Sequence, residues 1–461
     1  MLLIEKFARL RHWLIAALAF FLPPGTTAQL SKEQNEVLVA IARHQQLPAW
    51  PEISGAQARA LHTKAEAYFS NYQKYHQPFG LTADILFSDR TRLKVEKLEG
   101  IGDAATWTGH YLAALACRYS FGHEGSTLME ISRVLDTFET LTEVTGKKGF
   151  IARFAGPSND PAYKRYYSVY GDGPDPDRPG FGHWAYRGAG RHSDKVWLGY
   201  PSRDVYIGVN LGLATAFRLV PDVKIHKRLT ALVESIIDRL MQDSWIIVDD
   251  AGHKYRWQPT PSMQAALLRT GASVNPAKYL KLYEEKAAPI LSVPAPDLCK
   301  YCSYYPNNLE FADFYVLTTL ETDPLRRANY ENKMKEMWQQ CADHLNAWFA
   351  AAYVSAVGKS SPIARATVQG CLVDFPALPR WDKAVDYSMR TDLPFEILIG
   401  TKWARYALPV AERVRADFLW QRSPFQLAGG SDQPLEYPGL DLLLPYYMGC
   451  QCGLIPLPEK P

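Results

Sequence analysis

Apolar residues recur at helical spacing along most of this chain. In residues 200–222, YPSRDVYIGVNLGLATAFRLVPD, the apolar side chains fall on one face of a helix. They are Val205, Val209, Leu213, Ala216, Phe217 and Val220. The same spacing marks residues 31–44, 55–75, 102–122, 125–146, 223–243, 262–292, 308–320, 324–357, 394–413 and 439–449. The pattern predicts a mainly all-α protein.

The helical segments come in pairs, and the connections are long and aromatic at one end of each pair. Such pairs either stack as an open solenoid or close into a ring. Long loops gathered on one side favour the ring, an (α/α)6-type toroid, and a two-domain helical protein is the alternative. Residues 155–201 are expected to form a loop-rich insertion, and 245–258 a small β-hairpin.

The first 28 residues have the pattern of a secretory signal peptide. Lys6, Arg9 and Arg11 precede a short apolar run at 13–22, and small residues allow cleavage before Gln29. We expect a periplasmic or secreted protein that forms a single domain over residues 29–461. No later stretch is long and apolar enough to span a bilayer, so no membrane span is predicted in the mature chain.

Composition and motifs narrow the function classes. A net charge of +3, from 51 basic and 48 acidic residues, argues against a nucleic-acid partner. The chain has none of the motifs GxSxG, HExxH, Walker A or strand-associated GxGxxG, so we predict no cofactor and no metal. The pair in CKYC at 299–302 is expected to be a disulfide or buried thiols rather than half of a zinc site. Aromatic residues make up 12% of the chain, which suits a site that stacks on sugar rings.

Several segments also resemble a known family. They are TWTGHYLAALACRYSFG, EVTGKKGFIARF, WLGYPSRDVYIGVNLGLATAFRLVPD, SWIIVDDAGHKYRW, LETDP and LLLPYYMGCQCGLI. In this order they resemble secreted bacterial six-hairpin proteins, the (α/α)6-barrel glycosidases and polysaccharide lyases. The resemblance covers residues 95–455 and implies a helical barrel that acts on carbohydrate. It fixes no catalytic residue, and Val205 stands where relatives carry a second acid.

The first candidate residues lie where 200–222 turns into its helix. Asp204 is a candidate catalytic acid or base, although Ser202 and Asp204 also suit an ordinary helix start. Arg203 is either a substrate clamp or the ion-pair neighbour of Asp204. Tyr200 is a candidate substrate-binding ring.

A second group lies in GDAATWTGHYL. Trp107, His110 and Tyr111 share a helical neighbourhood, which is typical of a core but also of a substrate platform. His110 beside Tyr111 would equally serve as the proton-transfer pair of a lyase.

Two later segments complete the candidates. In YYPNNLEFADFY, Asn307 or Asn308 is expected to cap a helix, with Glu310 and Asp313 in its first turn, either as catalytic acids or as complements to the helix dipole. The dense charged and aromatic residues of segment 379–396 indicate either a cleft wall or a structural salt bridge. The candidates there are Trp381, Arg390 and Asp392, and Trp257 is a further stacking candidate.

The sequence therefore predicts an exported carbohydrate-active protein with an oligo- or polysaccharide substrate. A glycoside hydrolase would use two carboxylates drawn from Asp204, Glu310 and Asp392. A polysaccharide lyase is the alternative. His110 or Tyr111 would abstract the proton, and Arg203 or Arg390 would neutralise a uronate. A toroid that binds glycan or the cell envelope without catalysis is the third possibility.

Overall fold

The computed structural model describes residues 52–159, 185–247, 259–358, 361–414 and 422–457, which all belong to one compact unit over 49–461. This part of the chain is mainly helical, as the apolar spacing predicted. Its helices are α1 (Gly55–Tyr75), α2 (Ala104–Gly122), α3 (Gly125–Glu143), α4 (Arg203–Leu219), α5 (Val223–Gln242), α6 (Pro261–Val274), α7 (Pro276–Leu291), α8 (Tyr305–Leu320), α9 (Pro324–Cys341), α10 (Ala347–Val357), α11 (Pro362–Val373) and α12 (Leu440–Gln451). The predicted signal peptide and the segment 31–44 lie outside the described residues.

Burial divides these helices into two alternating groups. The even-numbered helices α2, α4, α6, α8, α10 and α12 are buried almost all round. The odd-numbered helices bury one face, as in α5, where the buried residues are Ile225, Leu229, Leu232, Val233, Ile236, Ile237 and Leu240. A helix that is apolar all round must lie inside, whereas an amphipathic one covers it from the solvent side.

Each buried helix from α2 to α10 is followed by an odd-numbered partner after a short connection. Asp222, Asn275 and Asp323 stand in these short connections, and each side chain caps the helix that follows. The return connections lead into the N-terminal ends of the buried helices, and all of them are long except residues 342–346 between α9 and α10. All strands of the described residues lie in these long connections.

The buried helices contact one another in chain order, and α8 also contacts α4. α2 packs against α4, α4 against α6, α6 against α8, α8 against α10, and α10 against α12. The last of them, α12, packs against α2 and also against α1, the first helix of the described chain.

Helices α2 and α4 make their closest contact through glycine. A Cβ atom added to Gly109 would lie 1.9 Å from the carbonyl oxygen of Gly208. A Cβ atom added to Gly212 would lie 2.5 Å from the carbonyl oxygen of Gly109. On the other side, a Cβ on Gly208 would lie 2.6 Å from the Thr106 carbonyl oxygen. The two backbones therefore touch without intervening side chains.

Within the described ranges the strands form four small antiparallel sheets. β1 (Asp84–Phe87) lies between β2 (Val95–Glu99) and β10 (Leu435–Glu436), and β5 (Lys195–Leu198) lies between β3 (Phe154–Pro157) and β4 (Ala185–Arg187). β6 (Val385–Asp386) pairs with β9 (Ala428–Gly429). β7 (Phe395–Leu398) and β8 (Thr401–Ala404) form a hairpin in which Leu398 faces Thr401.

Several element predictions need correction. Residues 262–292 form two helices, because Asn275 caps a new helix that starts with Pro276. The 324–357 pattern breaks likewise at Asn346, which caps α10. Residues 394–413, predicted as a helix, hold the β7–β8 hairpin, and α11 was not predicted. The expected insertion at 155–201 carries β4 and β5, and most of the hairpin predicted at 245–258 falls outside the described residues.

Candidate functional site

Arg203 and Asp204 form the first turn of α4. Ser202 occupies the cap position but its side chain makes no capping hydrogen bond. Asp204 is only 9% exposed, and burial raises its pKa, against the opposing influence of Arg153, Tyr305 and Ser202. Its Oδ1 atom is buried and makes no well-formed hydrogen bond within the described residues, although the hydroxyls of Tyr305 and Ser202 lie beside the carboxylate.

Arg153 holds the loops on either side of Asp204. Its guanidinium donates to the carbonyl oxygens of Gly102 and Tyr200, and it lies 3.1 Å from the Asp103 carboxylate. Arg153 is 5% exposed, and its charge favours the ionised form of Asp204. The buried Arg153 side chain thus connects the segment before α2 with the segment before α4.

Helix α8 supplies the other acidic groups of the site. It begins at Tyr305, so Glu310 and Asp313 lie beyond its first turn, and the predicted asparagine cap is wrong. The Asn307 amide instead exchanges two hydrogen bonds with the backbone of Cys299, at 3.0 and 2.8 Å. Cys299 is disulfide-bonded to Cys302, and the hydrogen bonds of Asn307 attach this loop to the start of α8.

Glu310, half-buried, and Asp313, buried, stand three residues apart on α8, and the charge of Glu310 acts on Asp313. The Ser262 hydroxyl at the start of α6 donates to Glu310 Oε2 at 3.3 Å. Burial raises the pKa of Glu310, and burial together with the charge of Glu310 raises the pKa of Asp313 well above its ordinary value. A carboxyl that is removed from water beside a second carboxyl holds its proton more readily.

Arg203 connects the two acidic groups. Its guanidinium donates to the Tyr305 hydroxyl at 3.4 Å, and its charge acts on both Glu310 and Asp313. Tyr305 in turn lies beside Asp204. The N-terminal parts of α4, α6 and α8 therefore share one polar cluster, which we call the carboxyl cluster: Arg203, Asp204, Ser262, Tyr305, Glu310 and Asp313.

Further buried polar atoms without a hydrogen-bond partner in the described chain occur along the buried helices. Buried polar groups are nearly always paired, so such atoms indicate places where water or a ligand completes the bonding. They include Thr106 Oγ1 on α2, both amide atoms of Asn308 on α8, Trp348 Nε1 on α10 and Asp441 Oδ1 on α12.

The predicted lyase pair is packed inside the protein. Tyr111 is 1% exposed, donates to Glu130 on α3 at 3.2 Å, and its ring lies 4.1 Å from that of Tyr72. His110 is also 1% exposed, with Nδ1 2.9 Å from the Thr106 carbonyl oxygen. Burial lowers the pKa of His110 to about 4. Trp107, half-buried, lies 5.2 Å from the His110 ring.

Among the described residues, the ion-pair and ring partners of the candidates in residues 379–396 are not members of the carboxyl cluster. Arg390 forms exposed ion pairs with Asp392 and Glu412, and the Arg390 hydrogen bond lowers the pKa of Asp392. Trp381 packs edge-on against Phe87 of β1, with ring centroids 5.9 Å apart.

The structure thus brings Arg203, Asp204 and Glu310 together, with Tyr200 attached through Arg153, and Trp257 lies outside the described residues. Sequence reasoning missed Arg153, Ser262 and Tyr305. Arg153 stands in GKKGFIARF and carries no local signal, because its partners come from two distant loops. In the described part of the chain no group of three or more His, Cys, Asp or Glu residues could hold a metal ion.

Comparison of the chain with models of protein families, with curated proteins and with solved structures finds no match. The described helices include none that is both long and apolar enough to cross a membrane.

Proposed function

We propose that the six helix pairs close into an (α/α)6 toroid. Three observations support this arrangement: the alternation of buried and amphipathic helices, the contacts of the buried helices in chain order, and the packing of α12 against α2. In such a ring the long connections and the carboxyl cluster share one end, where the buried helices begin. That end is the natural mouth of a toroid with short connections at the other.

We further propose that the protein hydrolyses glycosidic bonds outside the cytoplasm. The observation that carries this proposal is the carboxyl cluster, because hydrolysis needs one carboxyl to donate a proton and another to act as base or nucleophile. Glu310, paired with Asp313, is the general acid. Burial raises the pKa of Asp204, but the charge of Arg153 opposes that rise and favours the ionised form, so Asp204 is the base or nucleophile.

The surroundings of the cluster support a sugar substrate. Tyr305 is a half-buried ring beside Asp204 and Arg203, and a ring of this kind offers an apolar face and a hydroxyl to a sugar. Tyr200, also half-buried, is held through its backbone carbonyl by Arg153. Arg203 can donate to sugar hydroxyls or to an acidic sugar. The resemblance to six-hairpin glycosidases and the export pattern of residues 1–28 agree with this assignment.

Hydrolysis is favoured over the lyase reaction by the position of Tyr111. A lyase base must reach the substrate, whereas the Tyr111 hydroxyl is committed to Glu130 inside the protein. The two reactions also leave different products. A lyase creates a carbon–carbon double bond that absorbs ultraviolet light, and a hydrolase creates only a new reducing end.

The test is a glycan panel screened with the mature protein and three variants. Asp204→Asn and Glu310→Gln keep the shape of each side chain but remove its acid–base function, so we expect turnover to fall by about 10²–10⁴-fold. Asp392→Asn is the matched control, because Asp392 lies in an exposed ion pair, and it should retain activity. Full turnover by both cluster variants, or an ultraviolet-absorbing product, would refute the proposal.

A further inference from the structure

The β7–β8 hairpin exposes an unusual amount of aliphatic surface. Ile399 at its turn is 97% exposed, Ile397 is 69% exposed and Leu398 is 47% exposed. Phe395 at the start of β7 is 44% exposed. Met389, which is 86% exposed, follows Ser388, and the Ser388 carbonyl oxygen accepts a hydrogen bond from Lys402 of β8. An apolar patch this open normally marks a surface that meets a partner.

The turn itself makes the isoleucine more unusual. Ile399 and Gly400 are the two residues between the paired Leu398 and Thr401, and both have positive φ, 50° and 75°. Two-residue turns of this type favour Asn, Asp or Gly, because a β-branched residue is strained in the left-handed region. Ile399 therefore gains nothing from burial or from turn geometry in the folded chain.

The residues behind the tip are ordered by polarity. Aliphatic side chains occupy the tip, and Lys402, Trp403 and Arg405 follow on β8 and just after it. The Lys402 ammonium lies 3.8 Å from the centre of the Phe395 ring, and Arg405 pairs with Glu396 at 3.4 Å. Aliphatic residues at the end and aromatic and cationic residues at the base match the order from hydrocarbon to headgroups in a bilayer.

We propose that this hairpin docks the protein on an anionic lipid surface. Ile397, Leu398 and Ile399 enter the hydrocarbon boundary, while Lys402 and Arg405 lie among the headgroups. A narrow turn fits insertion better than a protein interface, which usually covers about 800 Å² on each partner. The proposal concerns binding alone and does not rest on the proposed hydrolysis.

Docking would also orient the protein. The hairpin belongs to the connection between α11 and α12, which leads into the N-terminal end of a buried helix. In the proposed toroid the carboxyl cluster opens at this same end. A docked protein would then turn its mouth toward glycans attached to the lipid surface.

The test is co-sedimentation of the mature protein with two kinds of vesicle, phosphatidylethanolamine with phosphatidylglycerol and phosphatidylcholine alone. We expect binding to the anionic vesicles that weakens with added salt, and weaker binding to phosphatidylcholine. Ile399→Asn should reduce the partition coefficient by about tenfold or more, because it removes a fully inserted aliphatic side chain. Leu325→Asn is the control, since Leu325 is 84% exposed at the start of α9, away from the hairpin.

The same variant separates docking from folding. Asn tolerates the left-handed region, so Ile399→Asn should unfold at the same temperature as the wild type or higher, and Ile399→Gly should behave alike. The proposal is overturned if neither vesicle binds the wild type, if both bind it equally, or if Ile399→Asn binds as the wild type does. It is also overturned if the wild type self-associates through the hairpin, as shown by a dimer in sedimentation that Ile399→Asn abolishes.

Discussion

Gly109 and Gly208 bring two helix backbones into direct contact, since a Cβ on Gly109 would lie 1.9 Å from the carbonyl oxygen of Gly208. Gly208 stands about one turn after Asp204 on α4, and Gly109 precedes His110 on α2. The distance between these helices is therefore set by the backbone itself. Any side chain at the contact would move the start of α4, where the carboxyl cluster lies.

The first prediction concerns this contact. Gly109→Ala should destabilise the protein by about 3 kcal/mol or more, because a backbone carbonyl cannot move aside as a flexible side chain would. Chemical denaturation of the two proteins measures the difference. Gly125→Ala at the start of α3 is the control, since no atom lies within 4 Å of its added Cβ. There the usual helix preference for Ala should leave stability unchanged or raise it by up to about 1 kcal/mol. Equal stability of the Gly109→Ala variant and the wild type would show that the helices separate freely.

The second prediction concerns the pH dependence that Asp313 imposes. Its pKa is raised in the folded protein, so the folded state holds a proton that the unfolded state has released, and its contribution to stability falls as pH rises from the ordinary value of 3.8 through the raised pKa. Asp313→Asn cannot titrate. As pH rises, we expect the free energy of unfolding of the variant to increase relative to that of the wild type, by about 1.4 kcal/mol for each unit by which the pKa of Asp313 is raised.

Thermal or urea unfolding at several pH values tests this. The two curves should converge near pH 3.8 and separate above it. A stability difference that does not change with pH would mean that Asp313 ionises in the folded protein as it does in the unfolded one.

The third prediction concerns His110. Its pKa is lowered from 6.5 to about 4 by burial, so folding favours the neutral imidazole. The stability due to this group is complete above pH 6.5 and is lost as pH falls toward 4, in total about 3 kcal/mol. Proton NMR of the imidazole ring provides the measurement. A His110 signal that titrates near pH 6.5 in the folded protein would contradict it.

The fourth prediction concerns Arg153. Arg153→Met keeps much of the side-chain volume but leaves the Gly102 and Tyr200 carbonyl oxygens without their donor, which should cost about 3 kcal/mol. The pKa of Asp204 should also rise further, because the opposing positive charge is gone. Any activity that needs ionised Asp204 should therefore require a higher pH.

Arg390→Met provides the comparison, because Arg390 lies in solvent-exposed ion pairs, which contribute little to stability. Equal destabilisation by the two substitutions would show that Arg153 does no more than a surface arginine. A pH–activity profile that does not move in Arg153→Met would separate the structural role of Arg153 from its influence on Asp204.

The sequence predicted most helices because burial imposes a regular spacing on them, and it singled out Arg203, Asp204 and Glu310 because polar residues ahead of an apolar run are conspicuous. Residues 394–413 were mistaken for a helix because Ile399 occupies a turn that usually carries Asn or Gly. Arg153, Ser262 and Tyr305 could not be found this way, since their importance comes from contacts between segments far apart in the chain.

The packing of α12 against α1 and α2 has a kinetic consequence. These contacts join residues about 320–400 positions apart, so α1 and α2 lack this neighbour until residues 440–451 have been synthesised. During that time the apolar faces of α1 and α2 remain open to wrong partners, as in other large chains that fold in stages. A chain that must cross a membrane before folding would benefit from this delay, because the late arrival of α12 keeps it from completing its core too early.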